Sequence, residues 1–395
     1  MIPNRPIYLD NQATTPCDPD VVQAMLPFFG AQFANPHSVE HVMGQAAEAA
    51  VEAARAEVAA LLGADPREIV FTSGATEANN LAIKGAARFA RDAGDPRRRI
   101  LTFVTEHPCV LASVRDLEGE GFEPVVLPVL ADGRPDLDKL AAALAEPVLL
   151  VSVMAANNET GVLADLPAIA GLVKAAGALL HTDAAQAAGK VPLDVGSVPF
   201  DLVSLSAHKL YGPKGVGALY VRRRPRVRLA PLFSGGGQER GFRSGTLPVP
   251  LLVGFGRAAR LAAASLAEEP PSIAALRDRM LARLRQAIPG LVVNGSLSAR
   301  LAGNLNLTFP AASAAALMRA CPDLCLSTGS ACSSAEIAPS HVLTAMGLDA
   351  QAAGRSLRVG IGRFTSAADI DTAADLLIAA HAALSHQRTE SSCPA

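Results

Sequence analysis

Apolar and polar positions alternate in blocks along the first two-thirds of the chain. Short apolar runs with the length of buried strands recur there, and helical stretches rich in alanine separate them. We predict strands at 68–72, 99–105, 148–154, 178–182, 201–206 and 217–221, with a helix at about 76–91. This alternation predicts an α/β fold with a mainly parallel sheet covered on both faces, and such sheets bind ligands at the carboxyl ends of their strands.

The pattern changes after about residue 256. We predict helices at 257–269 and 272–288, broken by Pro270 and Pro271, then a strand at 303–309, a loop rich in Ser, Gly and Cys, and a terminal helix at 367–385. This succession of helices around a strand indicates a smaller α+β domain. We assign residues 16–262 to a large domain and residues 1–15 and 263–395 to a small one, and we expect the tail at 386–395 to be disordered.

Composition and charge narrow the possible partners. Half of the 395 residues are hydrophobic and 18% are charged, which indicates a folded chain of two or three domains. A formal net charge of −2 gives no general attraction for nucleic acid or anionic membranes. The arginine run at 222–228 is a local exception, either a solvated hairpin end or a docking patch for RNA or an acidic protein. Without a secretory pattern or an apolar run of about 18 residues, we expect a cytoplasmic protein with no membrane partner.

Cysteine usage argues against disulfides and metal. The six cysteines, at positions 17, 109, 321, 325, 332 and 393, are too sparse for a disulfide scaffold, so we expect free thiols. Cys321 and Cys325 could begin a metal site. No paired Cys/His cluster completes a set of four ligands, and we therefore predict no metal.

Two predicted strands end in residues suited to an aldehyde cofactor. Lys209 stands just past the strand at 201–206, where its amine could form a Schiff base, although a surface lysine in a turn has the same local sequence. Asp183 ends the strand at 178–182, where it could pair with a protonated pyridine nitrogen or simply cap a helix. Gln186 could then hydrogen-bond the phenolic oxygen of the same ring.

A third strand end could hold a phosphate. The turn at 72–77 leads from a strand into a helix through small residues, and backbone N–H groups at a helix start bind phosphate. Phosphate cradle, pyridine partner and aldehyde acceptor together are what one pyridoxal phosphate (PLP) molecule needs. The glycines at 212–217 and 235–237 do not make a dinucleotide site, because that fingerprint must follow a strand and open a helix.

Ordered motifs give the chain a family resemblance over nearly its whole length. They are YLDNQATTP (8–16), NP (35–36), EIVFTSGATE (68–77), TEH (105–107), NNETG (157–161), HK (208–209), RSGTLP (243–248), SACS (330–333) and Arg358. The chain resembles the class V aminotransferase group of PLP enzymes, and within it the cysteine desulfurases of the NifS/IscS type. This resemblance implies the fold-type I architecture, with a seven-stranded sheet in the large domain, and a homodimer with active sites at the subunit interface.

The resemblance also implies roles for single residues. Lys209 corresponds to the lysine that bonds the cofactor, and His107 to the imidazole stacked on its ring. Asn158 corresponds to a residue near the ring oxygen and substrate, and Arg358, with Asn35, to the clamp for the substrate carboxylate. The implied phosphate cup consists of Ala75, Thr76, Ser206 and His208, with Thr246 from the partner subunit.

Cys332 decides the implied reaction. It lies in a loop of small residues, at about 326–336, which suits a thiol that visits the cofactor and then delivers its cargo, whereas an inert buried cysteine would have apolar neighbours. The resemblance implies that PLP and Lys209 activate L-cysteine, that His107 handles protons at the substrate thiol, and that Cys332 takes the sulfur as a persulfide and leaves alanine. The alternatives are another class V enzyme, such as a selenocysteine lyase or an aminotransferase, and a non-catalytic sulfur carrier with the same fold.

Two departures from the family pattern affect what the resemblance implies. Ala155 occupies a place where some relatives carry histidine or tryptophan. The chain also ends soon after its last helix, without the longer C-terminal segment associated with scaffold docking. The sulfur acceptor is therefore open, and iron–sulfur assembly, tRNA or DNA thiolation and cofactor sulfuration all begin with the same persulfide.

Overall fold

The structure is a computed structural model that describes residues 6–328 and 339–391. Its helices, α1 to α12, are Pro19–Met25, Val42–Ala60, Ala75–Asp92, Pro108–Asp116, Leu137–Ala143, Leu166–Ala175, Val249–Ser265, Glu269–Ala287, Ala314–Ala320, His341–Ala345, Ala350–Gly354 and Ala367–Ser391. Its strands, β1 to β12, are Ile7–Tyr8, Ile69–Thr72, Arg99–Phe103, Glu123–Leu127, Val148–Met154, Leu179–Asp183, Leu202–Ser206, Gly217–Val221, Val292–Val293, Asn304–Thr308, Leu324–Cys325 and Ser356–Gly360.

A seven-stranded sheet forms the centre of the larger part. Its strand order is β2-β8-β7-β6-β5-β3-β4, and only β8 runs antiparallel to its neighbours. Every residue of the middle strand β5 is buried, and hydrophobic clusters pack on both faces of the sheet. A strand covered on both faces needs a continuous apolar sequence, which is why these strands could be recognised. The predicted α/β class with a mainly parallel seven-stranded sheet is confirmed.

The chain beyond the large sheet builds a second core. Strands β12, β10 and β9 form an antiparallel sheet, and α8 and α12 pack together beside it around a separate hydrophobic cluster that includes Phe309. The short parallel pair β1 and β11 joins the N-terminal segment to this part of the molecule. The domain boundaries at 15/16 and 262/263 stay a prediction.

Two predicted helices begin elsewhere. Helix α7 starts at Val249 rather than at about 257, and Pro270 and Pro271 lie in the first turn of α8 instead of breaking the chain before it. Proline is compatible with the first turn of a helix, because the N–H that it lacks has no intrahelical partner there. Helix α12 continues to Ser391, beyond the predicted end at 385, and the state of the remaining tail stays a prediction.

The N-terminal segment connects the two parts next to the ends of the large sheet. Asp10 makes an isolated bridge with Gly360 at the end of β12, and the Asn11 side-chain amide donates to the Gly360 carbonyl over 2.7 Å. In the described residues no single helix has the length and apolar character of a membrane span. Helices α7 and α8 meet those criteria only as a pair, with a bend of 76° between them.

Candidate active site

A cavity of about 530 Å³ opens at the carboxyl ends of the parallel strands β5, β6 and β7. The start of α3, the N-terminal segment and β12 complete its wall. The predicted site residues that line it are Ala75, Thr76, His107, Asn158, Asp183, Gln186, Ser206, His208, Lys209 and Arg358. Residues more than 280 positions apart in the chain therefore meet at one place, which is where an α/β sheet binds its ligands.

Lys209 follows β7 by three residues, in a short 3-10 turn. Its Nζ donates to the main-chain carbonyls of Gln12, over 2.6 Å, and Ala13, over 2.7 Å. The N-terminal segment therefore holds the amine in place at the cavity wall.

Asp183 is the last residue of β6 and is 5% exposed. Its Oδ1 accepts from the Ala185 N–H over 2.9 Å, and its Oδ2 accepts from Asn79 Nδ2 over 2.7 Å. Two donors thus orient the carboxylate at the floor of the cavity. Gln186 donates from Nε2 to the Gln12 carbonyl over 2.8 Å, while its buried Oε1 has no partner among the residues that the structure describes.

His107 caps the N-terminus of α4. Its Nδ1 accepts from the Cys109 N–H over 3.2 Å and lies 3.0 Å from Cys109 Sγ. Burial lowers the pKa of His107, an effect that the carboxylate of Asp183 opposes and Lys209 reinforces. The imidazole is therefore held in its neutral form more strongly than an exposed histidine.

The start of α3 forms a cradle of backbone N–H groups. Gly74 adopts φ +152° immediately before the helix, and a Cβ there would meet no atom within 4 Å, so the main chain borders open space. Close packing on the other side requires Gly217 of β8, where a Cβ would lie 2.7 Å from the Gly74 Cα. Ser206 and His208 face the same cavity. Burial lowers the pKa of His208 to about 4, which leaves its ring neutral.

Arg358 comes from β12 and is only 2% exposed. Its guanidinium donates to Asp10 Oδ1 over 2.7 Å and to the Asn158 carbonyl over 3.0 Å. The Nε is buried without a partner among the residues described. A guanidinium oriented in this way suits a carboxylate ligand, because Arg binds planar anions through paired N–H groups.

Two predicted site residues lie outside the cavity lining, and a third is not among the described residues. Asn35 and Thr246 are exposed and outside the cavity lining, and Asn35 accepts from the His37 N–H through its own side chain. Their roles stay predictions. Cys332 lies outside the described residues. The chain on either side of 329–338 is placed next to the site: the Arg358 N–H donates to the Ser327 carbonyl over 2.7 Å, and Ser340 donates to the buried Glu159.

Sequence reasoning missed several contributors to the site. The carbonyls of Gln12 and Ala13 hold Lys209, but a main-chain acceptor has no signature in residue type. Asn79 and Cys109 lie beside Asp183 and His107. Their signal was available, since Asn79 stands one helical turn after the phosphate cradle and Cys109 two residues after a predicted catalytic histidine.

The arrangement fits a ligand with a phosphate, a basic ring nitrogen and a group that reacts with an amine. The cradle at the start of α3 offers donors for the phosphate, the Asp183 carboxylate offers a partner for a protonated nitrogen, and Lys209 supplies the amine. The unpartnered Gln186 Oε1 would gain a partner from a ligand that brings a hydrogen-bond donor. Within the described residues there is no group of three or more His, Cys, Asp or Glu side chains that could hold a metal ion.

Comparisons with known proteins agree with this picture. The aminotransferase class-V family model matches residues 7–372. The cysteine desulfurase IscS of Anaeromyxobacter sp. (strain Fw109-5) is 53% identical, over 94% of this chain and 92% of its own length. A solved NifS-like protein is 34% identical with a TM-score of 0.87, over 96% of this chain and 100% of its own. A structure of SspA in complex with cysteine is 36% identical with a TM-score of 0.80, over 91% of this chain and 99% of its own.

Proposed function

The chain belongs to the class V aminotransferase family and, within it, to the cysteine desulfurases, and we propose that it uses PLP to transfer the sulfur of L-cysteine to Cys332. The products are L-alanine and a persulfide on the enzyme. The observation that carries the proposal is the meeting of Lys209, Asp183, His107 and Arg358 in one cavity of a chain about half identical to named cysteine desulfurases. Because that identity extends over nearly the full length, a desulfurase is better supported than an aminotransferase or a selenocysteine lyase.

The cavity residues hold the cofactor and keep it electron-withdrawing. When bound, PLP supplies an electron sink for the pair released at the substrate's α-carbon. Asp183, held by Asn79 and the Ala185 N–H, keeps the ring nitrogen protonated. The cradle at Ala75 and Thr76, with Ser206 and His208, binds the phosphate, and Lys209 anchors the aldehyde.

Arg358 positions the substrate. Arg358 lines the cavity, its guanidinium is held by Asp10 and Asn158, and its buried Nε–H, which has no partner in the described part of the chain, is left for the α-carboxylate. The proposal that this carboxylate belongs to cysteine has support from the similar SspA structure, which is a complex with cysteine. Lys209 then takes the α-proton as the general base, and His107 acts at the substrate sulfur.

Cys332 accepts the sulfur. Its thiolate attacks the substrate's sulfur, an S–S bond forms, the C–S bond breaks, and the electron pair stays on the carbon that is then protonated to give alanine. Cys332 follows Ser327 by five positions, and a chain extends by at most about 3.6 Å per residue, so its reach from Ser327 is up to about 18 Å. Ser327 pairs with Arg358, which lines the cavity.

We propose that the enzyme is a homodimer. Large hydrophobic side chains are exposed in the segment between α1 and α2 and at the start of α2, namely Leu26, Phe29, Phe33, Val39, Val42 and Met43, with Val42 at 78% and Phe33 at 71%. A second copy would cover such a surface, because soluble monomers rarely expose contiguous apolar patches of this kind. In such a dimer the exposed Thr246 would be available to the phosphate cup of the partner subunit. Light scattering after size exclusion should give a mass near twice 40.7 kDa.

Turnover of L-cysteine tests the function directly. Protein purified with PLP should release alanine and accumulate one sulfane sulfur per chain when no acceptor is present. Cys332→Ser should keep the absorbance of the bound cofactor and lose both products, whereas Cys17→Ser, at a half-exposed cysteine that does not line the cavity, should behave as the wild type. Undiminished alanine formation by Cys332→Ser would contradict the persulfide route.

Lys209→Ala separates an enzyme from a non-catalytic carrier. We expect it to lose turnover and the characteristic cofactor absorbance, and a variant with full sulfur release would show that the fold serves another purpose. The acceptor protein can be identified by trapping disulfide-linked complexes through Cys332. Iron–sulfur assembly, thiolation of nucleic acid and cofactor sulfuration each predict a different trapped protein.

A further inference from the structure

Cys109 has no place in the mechanism proposed above, and Asn79 enters it only as a donor to Asp183, yet both lie in direct contact with residues that act in it. Cys109 lines the same cavity as His107, and Asn79 is completely buried beneath it. The Asn79 side-chain amide reaches two atoms from one nitrogen, Cys109 Sγ over 3.2 Å and Asp183 Oδ2 over 2.7 Å. A continuous chain of contacts therefore runs from Asp183 through Asn79 and Cys109 to His107.

The direction of each hydrogen bond follows from what the groups can donate. An amide Nδ2 only donates, so Cys109 Sγ accepts from Asn79 and is left with its own S–H to give. The Thr76 hydroxyl also hydrogen-bonds the thiol and, like Asn79, lowers its pKa as a donor does, so the basic nitrogen His107 Nδ1, at 3.0 Å, is left to receive that proton. The Cys109 N–H donates to the same Nδ1 over 3.2 Å, which is the hydrogen bond by which the His107 side chain caps helix α4.

Two donors converging on Nδ1 determine which nitrogen of the imidazole carries the proton. A neutral histidine has one N–H, and Nδ1 can accept from the thiol and the backbone only when that proton is on Nε2. Burial, reinforced by the Asp183 carboxylate, raises the pKa of the Cys109 thiol to about 12, so the S–H persists at neutral pH. The donor at Nδ1 is therefore permanent.

We propose that Cys109, oriented by Asn79, is a positioning residue that holds His107 as the Nε2–H tautomer, so that the imidazole presents a hydrogen-bond donor and not a base to the ligand in the cavity. The inference rests on the proposed function and deepens it. A donor at Nε2 polarises the substrate sulfur for attack by the Cys332 thiolate, and because the persulfide formed keeps the proton of the substrate thiol, no base is required at that sulfur. Histidine is used in this neutral, donating form where burial and a helix N-terminus keep it uncharged.

The tautomer can be measured directly. Full-length protein with its cofactor bound and with ¹⁵N-labelled histidine rings gives separate long-range ¹H–¹⁵N patterns for the two neutral tautomers, and His107→Gln identifies the relevant signals. We expect wild-type His107 to show the Nε2–H pattern near neutral pH. A neutral Nδ1–H pattern would overturn the proposal without any variant.

Substitutions of Cys109 test its part in this effect. In Cys109→Ala one of the two donors at Nδ1 is lost, so the His107 titration should move to higher pH; in Cys109→Ser the hydroxyl can donate from the same place and the titration should stay near the wild type. The charged groups that also act on His107 are Asp183, Lys209 and His341, and all three are unchanged in these variants. Cys17→Ala, at a cysteine outside the cavity, serves as the control for loss of a thiol.

The pH profile provides a second readout. For Cys109→Ala, the proton affinity of His107 read from the pH dependence of kcat/KM for L-cysteine should rise by about fivefold, the factor that corresponds to one neutral hydrogen bond of about 1 kcal/mol, and Cys109→Ser should return it close to the wild type. Identical His107 titrations in all variants would overturn the role of Cys109. If instead the tautomer is as expected but no variant or wild type desulfurates cysteine, the proposed function fails while the structural inference stands.

Discussion

Lys190 is a buried amine whose replacement should stabilise the protein. Its Nζ has no hydrogen-bond partner in the part of the chain that the structure describes, and it faces a small cavity of about 30 Å³ between the two cores. Burial lowers the pKa of Lys190 from 10.5 to about 7, and the nearby positive charge of Lys209 adds to this effect. An amine that is protonated more easily in the unfolded chain than in the folded one reduces the free energy of unfolding.

The magnitude follows from the two pKa values. A decrease from 10.5 to about 7, at 1.36 kcal/mol for each tenfold change in proton affinity, corresponds to a penalty on the order of 5 kcal/mol. The penalty is complete below pH 7, where both states bind the proton. It declines between pH 7 and 10.5, because the folded chain has already lost the proton there and the unfolded chain binds it progressively less. Water in the cavity would accept a hydrogen bond from the amine and reduce the penalty, so this value is an upper bound.

Lys190→Met keeps the volume and removes the charge. We expect urea unfolding to show a gain of about 3 kcal/mol in the free energy of unfolding at pH 6.5, and a gain smaller by about half at pH 9. Lys139→Met, at an exposed lysine, is the matched control and should change stability by less than about 0.5 kcal/mol at either pH. A gain that is the same at both pH values, or a loss of stability at pH 6.5, would refute the reasoning.

Three further substitutions test other parts of the structure. Glu239→Gln leaves the buried guanidinium of Arg55 without its 2.7 Å partner and should cost about 3 kcal/mol in chemical denaturation, because both side chains are at most 4% exposed. Gly161→Ala should also cost about 3 kcal/mol, since the residue has φ +72° and its new Cβ would lie 2.5 Å from the Asn304 side chain. Arg358→Lys should raise KM for L-cysteine by at least about tenfold with a smaller change in kcat in steady-state assays, because an ammonium cannot reproduce the guanidinium fork.

Six of the seven strands of the large sheet could be predicted because they are almost entirely buried, whereas the partly exposed edge strand β4 was missed. The strands predicted at 148–154 and 217–221 coincide with β5 and β8, and the others end within two residues of prediction. The start of α8 could not be placed as well, since a proline pair reads equally as a break and as a helix start. The apolar pattern alone does not distinguish a break between helices from a helix start when the flanking residues are alanine and leucine.

The site was predictable to the extent that its chemistry resides in side chains at strand ends. Ten predicted residues line one cavity because parallel strands bring their carboxyl ends to the same edge. The carbonyls of Gln12 and Ala13 that hold Lys209 were not predictable, since they depend on a tertiary contact between residues almost 200 positions apart. Asn35 and Thr246 lie outside the cavity of a single chain, so their roles depend on an assembly that one sequence does not describe.

Gln12 connects the stability of the molecule to its site. Its carbonyl accepts from Lys209, and Gln12 lines the small cavity together with Lys190, while its buried side-chain Oε1 has no partner among the described residues. The destabilising amine is thus separated from the reactive one by a single residue, and destabilised groups retained in a fold tend to occur where function needs them. We therefore expect Lys190→Met to lower kcat several-fold while it raises stability, because the segment that holds Lys209 loses the polar group behind it. Steady-state kinetics of Lys190→Met beside Lys139→Met test this expectation. Full activity in both variants would show that Lys190 lowers the stability of the protein without contributing to catalysis.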